Sequence, residues 1–165
     1  MVDKEREKRL EFIREIEKER GSKLLTYFLG EGTSLAEDAI IHLYRSLLGI
    51  GRCQKLDLFL YTRGGMTEVP LRIVSLIREF TSHFAVIIPY RAHSGGTMVA
   101  LGADEIVMGT LSELAPIDPS TVTPLNPSGR DGKPTPIAIQ DILAYLQFAK
   151  EKLGIDEKED VNISQ

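Results

Sequence analysis

From residue 23 onward the apolar positions trade between two periods, one of strands and one of helices. Lys23 to Leu29 reads as a strand, Leu35 to Leu48 as a helix with Ser34 at its N-cap, and Leu56 to Tyr61 as a second strand. Glu68 to Phe80 returns to helical spacing, Phe84 to Pro89 is a buried strand, Gly96 to Leu101 a helix, and Glu105 to Met108 a short strand. Strands that alternate with helices predict a mostly parallel sheet, that is, an α/β fold. Ahead of this pattern, residues 3–20 hold seven acidic and seven basic side chains, with Leu10, Phe12, Ile13 and Ile16 as a narrow apolar stripe. Pairs such as Glu5 with Arg9 and Glu11 with Arg14 support a helix that Gly21 ends. Such a helix either packs by its one stripe on its own domain or serves as an arm for a partner.

After Met108 the character changes, because Pro116, Pro119, Pro124, Pro127, Pro134 and Pro136 fall among Ser, Thr, Gly and Asn. An extended loop of this length fits a lid or substrate channel. Ile137 to Leu153 resumes as a helix, and the polar tail from Asp156 is expected to fray. The 165 residues suit one domain with a real core. The organisation expected is a charged helix over 1–21, a single domain over 22–155 and a flexible tail over 156–165.

Composition narrows the function classes. A net charge of -4, with no basic stripe interleaved with aromatics, argues against a nucleic-acid partner. Phe84 to Ile88 is far shorter than the roughly 20 residues of a membrane-spanning helix. The mixed-charge N-terminus lacks the basic tip and apolar block of a secretion signal, so a cytoplasmic setting is expected. Cys53 stands alone, which excludes an internal disulfide and reads as a small packing residue. No His/Asp/Glu cluster has metal-ligand spacing, and no cofactor is called for.

In a parallel sheet, chemistry collects in the loops that leave the carboxyl ends of strands. Two stand out: Thr62-Arg63-Gly64-Gly65 after the strand ending at Tyr61, and Ala92-His93-Ser94-Gly95-Gly96-Thr97 after the strand ending at Pro89. A serine between a strand end and a glycine-started helix places its hydroxyl where helix N–H groups favour developing negative charge. The run misses the G-x-S-x-G elbow by one residue, since Ala92 holds the first glycine position. Taken alone, a serine at this position is more often a helix cap than a nucleophile. A second glycine loop matters because acyl transfer needs two N–H donors on one oxyanion, and Gly65 and Gly95 are placed to supply them. The alternative for Gly64-Gly65 is a tight turn at positive φ.

Three ordered blocks carry a family resemblance: LFLYTRGGMTEVPLRIVSLI, IPYRAHSGGTMVALGADEIVMG and LSELAPIDPS, with KERGSKLLTYFL as an entry segment. Together they resemble the serine dehydrogenase proteinases, relatives of the Clp proteolytic subunit and of signal peptide peptidase A. The resemblance implies a Clp-protease/crotonase-like fold of repeated β-β-α/β-α units. It also implies a serine protease, a hydrolase acting on peptide bonds, that takes protein or peptide substrates and forms homo-oligomers. By the same resemblance Ser94 is the nucleophile, Gly65 and Gly95 are the oxyanion donors, and Asp118 in APIDPS falls where the family has its aspartate. Asp118 also reads as a turn residue before Pro119.

Two departures stand against the resemblance. Arg63 replaces the family's usual proline, and no histidine follows Asp118, since His42, His83 and His93 all precede Ser94. His93 is set aside as the base because adjacent side chains in an extended turn point in different directions; a packing role is expected of it. A desolvated lysine is the other route to a base, and Lys133, followed by Lys150, is the nearest in order. A base from a second subunit is a further alternative. Beside the serine endopeptidase stand two other readings on the same fold, a crotonase-like acyl-CoA enzyme and a non-catalytic scaffold that docks through residues 3–20.

Overall fold

The computed structural model describes residues 2–117, 120–121, 127–129, 132, 135, 137–148 and 150–151. By their contacts, residues 1–117 and 118–165 form two compact units.

In the first unit the chain runs α1 (Val2–Arg20), β1 (Lys23–Phe28), α2 (Asp38–Ile50), β2 (Cys53–Tyr61), α3 (Val69–Arg78), β3 (Thr81–Ile88), β4 (Arg91–Ala92), α4 (Gly95–Leu101), β5 (Glu105–Met108) and β6 (Glu113–Leu114). Four strands make one wholly parallel sheet in the order β1-β2-β3-β5. This is the parallel α/β arrangement anticipated from the alternating periods. The two-residue strands β4 and β6 form a second, small parallel ladder.

Register explains the core. Leu25, Leu58 and Val86 stand in line across β1, β2 and β3, as do Leu56 with Phe84. Leu56, Leu58 and Leu60 have no exposed surface, and they share one cluster with Leu43 and Leu47 of α2, Ile73 and Ile77 of α3, and Val99 of α4. Burying each such side chain is worth about 1.5–3 kcal/mol. The period of two sends Asp57, Phe59 and Tyr61 to the opposite face, where α1 lies.

At that face α1 ends in a Schellman turn: Gly21 takes φ 59° and the Ser22 N–H donates to the Glu17 carbonyl at 3.2 Å. The turn presents Arg20 to Asp57, a carboxylate with no exposed surface in the middle of β2. The Ser22 hydroxyl donates to the same carboxylate at 2.9 Å. Arg20 also reaches Glu105 of β5 at 3.0 Å, and Lys55 reaches it at 3.2 Å. The charged N-terminal helix is therefore tied to its own sheet at its last turn.

One boundary moved for a tertiary reason. The helix anticipated from Leu35 starts instead at Asp38, because Leu35 is used as an isolated strand residue opposite Gly65. Its N–H donates to the Gly64 carbonyl at 2.8 Å and its carbonyl accepts from Met66 N–H at 2.9 Å.

In the second unit, β7 (Ser120–Thr121) pairs antiparallel with β8 (Ile137–Ala138), and α5 (Ile139–Phe148) follows. The extended stretch after Met108 thus contains short ladders, and the pairing of Ile137 and Ala138 delays the helix anticipated from Ile137. No helix among the described residues is long and apolar enough to cross a membrane.

Candidate active site

Three loops meet beyond the carboxyl end of β2. Thr62 continues past the sheet to pair with Ala92, its N–H donating to the Arg91 carbonyl at 3.0 Å and its carbonyl accepting from His93 N–H at 3.1 Å. Leu35 lies on the next residues, bridged to Gly65 as above. A Cβ on Gly65 would collide with the Leu35 backbone, so glycine is required there by contact alone. The Thr62 hydroxyl accepts from Gly64 N–H at 3.0 Å and shapes the turn. Gly96 is pressed on the other side of Thr62, where a Cβ would stand 2.5 Å from Thr62 Cγ2.

Ser94 sits at the centre of this lacing. Its φ of 49° and ψ of -112° put it at the first central position of a type II′ turn, closed by Gly96 N–H donating to the His93 carbonyl at 2.8 Å. That position is normally glycine, and Ser94 is the only non-glycine residue at positive φ among those described. Such a conformation costs about 1–3 kcal/mol and persists only where its surroundings over-determine it. Gly64 supplies part of that constraint: at φ 101° it leans on the serine so closely that a Cβ there would stand 2.7 Å from Ser94 Cβ and 2.9 Å from the His93 carbonyl oxygen.

Ser94 occupies the N-cap position of α4 yet makes no side-chain cap hydrogen bond. The capping alternative, open on sequence, leaves its hydroxyl without the partner that would justify it. In the two glycine loops, the amides of Gly65 and Gly95 donate to no backbone acceptor among the described residues. Gly95 is buried, and a buried donor without a partner is costly unless a ligand completes it. The two glycines are close: a Cβ on Gly95 would stand 3.7 Å from Gly65 N.

Other sequence candidates divide. Asp118 and Lys133 lie outside the described residues. His42 is exposed on α2, and His83 lies toward the amino end of β3, 3.6 Å from Glu105. Neither is at the carboxyl edge that carries Ser94. His93 Nε2 lies 3.0 Å from Glu113 Oε1 on β6. Arg63, at the family's proline position, points to Glu31 at 3.2 Å on the surface. No group of three or more potential metal ligands is found among the described residues.

Three residues of this neighbourhood gave no signal in the sequence. Leu35 holds the glycine loop, and Glu113 receives His93. Thr97 places its hydroxyl 2.8 Å from the Ala92 carbonyl and 2.7 Å from the Ala115 carbonyl, tying the serine loop to the segment that leads to Asp118. Each acts across a sequence gap that no local pattern spans.

Comparisons with known proteins bear on the family and the fold. The profile of the family described as ClpP-like SDH-type serine proteinase matches residues 1–128. Two uncharacterised proteins of Methanocaldococcus jannaschii, MJ1495 and MJ0137, are 33% and 28% identical over 123 and 121 residues, or 68% and 67% of this chain. The matched region is 42% of each relative's length, so the chain spans under half of the curated relatives it matches. A solved structure, a mutant of the 1510-N membrane-bound stomatin-specific protease, superposes with a TM-score of 0.51 at 16% identity, covering 81% of this chain and 63% of that one. At that identity the likeness concerns the fold.

Proposed function

Because the chain belongs to the ClpP-like SDH-type serine proteinase family, we propose that it is built as a serine endopeptidase in which Ser94 attacks the scissile carbonyl of a protein or peptide substrate. The observation that carries the reading is the backbone of Ser94. A serine forced into a glycine conformation, with no cap bond and two glycine amides nearby that donate to no backbone acceptor among the described residues, is strain kept at one place for a chemical reason. Gly65 and Gly95 N–H groups take the roles of oxyanion donors, stabilising the charge that develops on the carbonyl oxygen as the tetrahedral intermediate forms.

The proton of Ser94 must go to a base. By the family resemblance Asp118 is the candidate to orient that base; Lys133 is the nearest lysine in order that could serve as the base, and a second subunit in a homo-oligomer is the other source. The crotonase-like alternative uses the same amide pair but leaves Ser94 without a task, and its strained backbone speaks for the peptidase.

The test is covalent labelling with a fluorophosphonate probe, with the adduct located by mass spectrometry. The expected result is one adduct on Ser94, absent in Ser94→Ala. A folded protein that takes no label at Ser94 would sink the reading and leave a scaffold built on a protease fold.

A further inference from the structure

Beside Ser94 lies a charged cluster that the chemistry above does not use. Arg91 and Glu113 stand opposite each other in the β4–β6 ladder, and His93, two residues along, falls on the same side as Arg91. Both reach one oxygen: Glu113 Oε1 is 2.7 Å from Arg91 Nε and 3.0 Å from His93 Nε2. The Arg91 contact is Coulombic, because its Nε–H is buried without an aligned acceptor, whereas the His93 contact is a hydrogen bond. Arg91 is itself fixed from behind, its guanidinium 4.4 Å over the Tyr90 ring and Nη2 donating to the Tyr90 hydroxyl at 2.7 Å.

His93 is the residue from which the strained turn hangs. Its N–H is bonded to Thr62, its carbonyl accepts the Gly96 N–H that closes the turn, and its side chain reaches β6 at Glu113. The β4–β6 ladder ends at Ala92, one residue short of His93, so the ladder itself does not hold His93. We infer that Glu113 is a positioning residue: by gripping His93 it fixes the turn that presents Ser94, and so sets the reactivity of the nucleophile without touching the substrate. The inference rests on the peptidase reading.

The location separates this role from a merely structural one. The side chains of His93 and Glu113 are 27% and 48% exposed, and a polar contact so open to water adds about 0–1 kcal/mol to stability. Its loss should hardly move the melting temperature. A turn that relaxes by about 1 Å, by contrast, lowers a rate that depends on alignment by up to about 100-fold.

The experiment compares fluorophosphonate labelling of the wild-type chain with Glu113→Ala, His93→Ala and His93→Gln, the last of which keeps an N–H donor for Glu113. The maximal labelling rate constant, the probe concentration at half-maximum, the final stoichiometry and the melting temperature are all recorded. The expected result is a rate constant lowered roughly 10- to 100-fold in both alanine variants. Half-maximal concentration, stoichiometry and melting temperature stay near wild type, and His93→Gln recovers most of the rate. Alanine variants that label at the wild-type rate overturn the clamp and leave the peptidase reading standing. Loss of labelling in His93→Gln as complete as in His93→Ala also overturns it, since the imidazole itself would then be needed. A wild-type chain that takes no label removes the peptidase reading and the clamp together.

Discussion

At the scale of single residues, Ser94 makes a prediction that chemistry alone would not. If its φ of 49° is strained, a glycine in its place is relieved while an alanine is not. The strain of about 1–3 kcal/mol is set against the extra chain entropy that glycine brings to the unfolded state, about 0.5–1 kcal/mol. Ser94→Gly is therefore expected to be more stable than Ser94→Ala by about 1–2 kcal/mol in a urea melt, while both lose labelling. Equal stability of the two variants would mean that the strain at this position is no larger than the entropy cost of the glycine, about 0.5–1 kcal/mol, below the range expected. The serine and its glycines were legible in the order Ser94-Gly95-Gly96 and Gly64-Gly65. The conformation was not. It depends on Gly64 leaning on Ser94 from a loop thirty positions earlier and on Glu113 holding His93 from a strand twenty positions later. The argument that set His93 aside assumed an extended backbone, and the turn at Ser94 is not extended.

At the scale of elements, β1, β2, β3, α2, α3 and α4 were readable from their periods, because each buries one face against the same cluster. The errors sit at ends, and each has a tertiary cause. Leu35 left its helix to bridge Gly65, and β3 starts at Thr81 because Cys53 and Thr81 already pair at the amino end of the sheet. The least predictable element was the placement of α1, whose stripe of four apolar residues is narrow. What fixes its end is Arg20, whose guanidinium is pushed further above its usual range by the hydrogen bond to Asp57. Removing one partner of a buried pair costs about 3–5 kcal/mol, since it leaves a charge with no water and no counterion. Arg20→Leu should lose stability of that order in a urea melt. Arg20→Leu combined with Asp57→Leu should recover most of it, because the orphaned charge is gone. A loss below about 1 kcal/mol in the single variant would show that Ser22 alone satisfies Asp57.

At the scale of the whole molecule, ion pairs hold the amino side of the sheet together and make its stability depend on pH in one direction. Asp104 is held below the usual carboxylate range, first by its hydrogen bond from Arg78 and then by the Phe84 N–H, which donates to it at 2.8 Å. Glu105 is lowered first by Arg20 and then by Lys55. Both carboxyls thus have folded values below their unfolded ones. Their contribution is fully present above the unfolded values, about pH 4–4.5, and disappears as the pH falls through the folded values. Melting temperature should hold steady from neutral pH to about pH 5 as far as these groups are concerned, then fall on further acidification. The paired variant Asp104→Asn with Glu105→Gln separates this source from all others. It starts below wild type at pH 7, because the charge-assisted bonds to Arg78, Arg20 and Lys55 are lost, and the gap closes toward pH 3 as the wild-type carboxyls take up protons. A gap that stays constant across that range would place the acid sensitivity in groups other than Asp104 and Glu105.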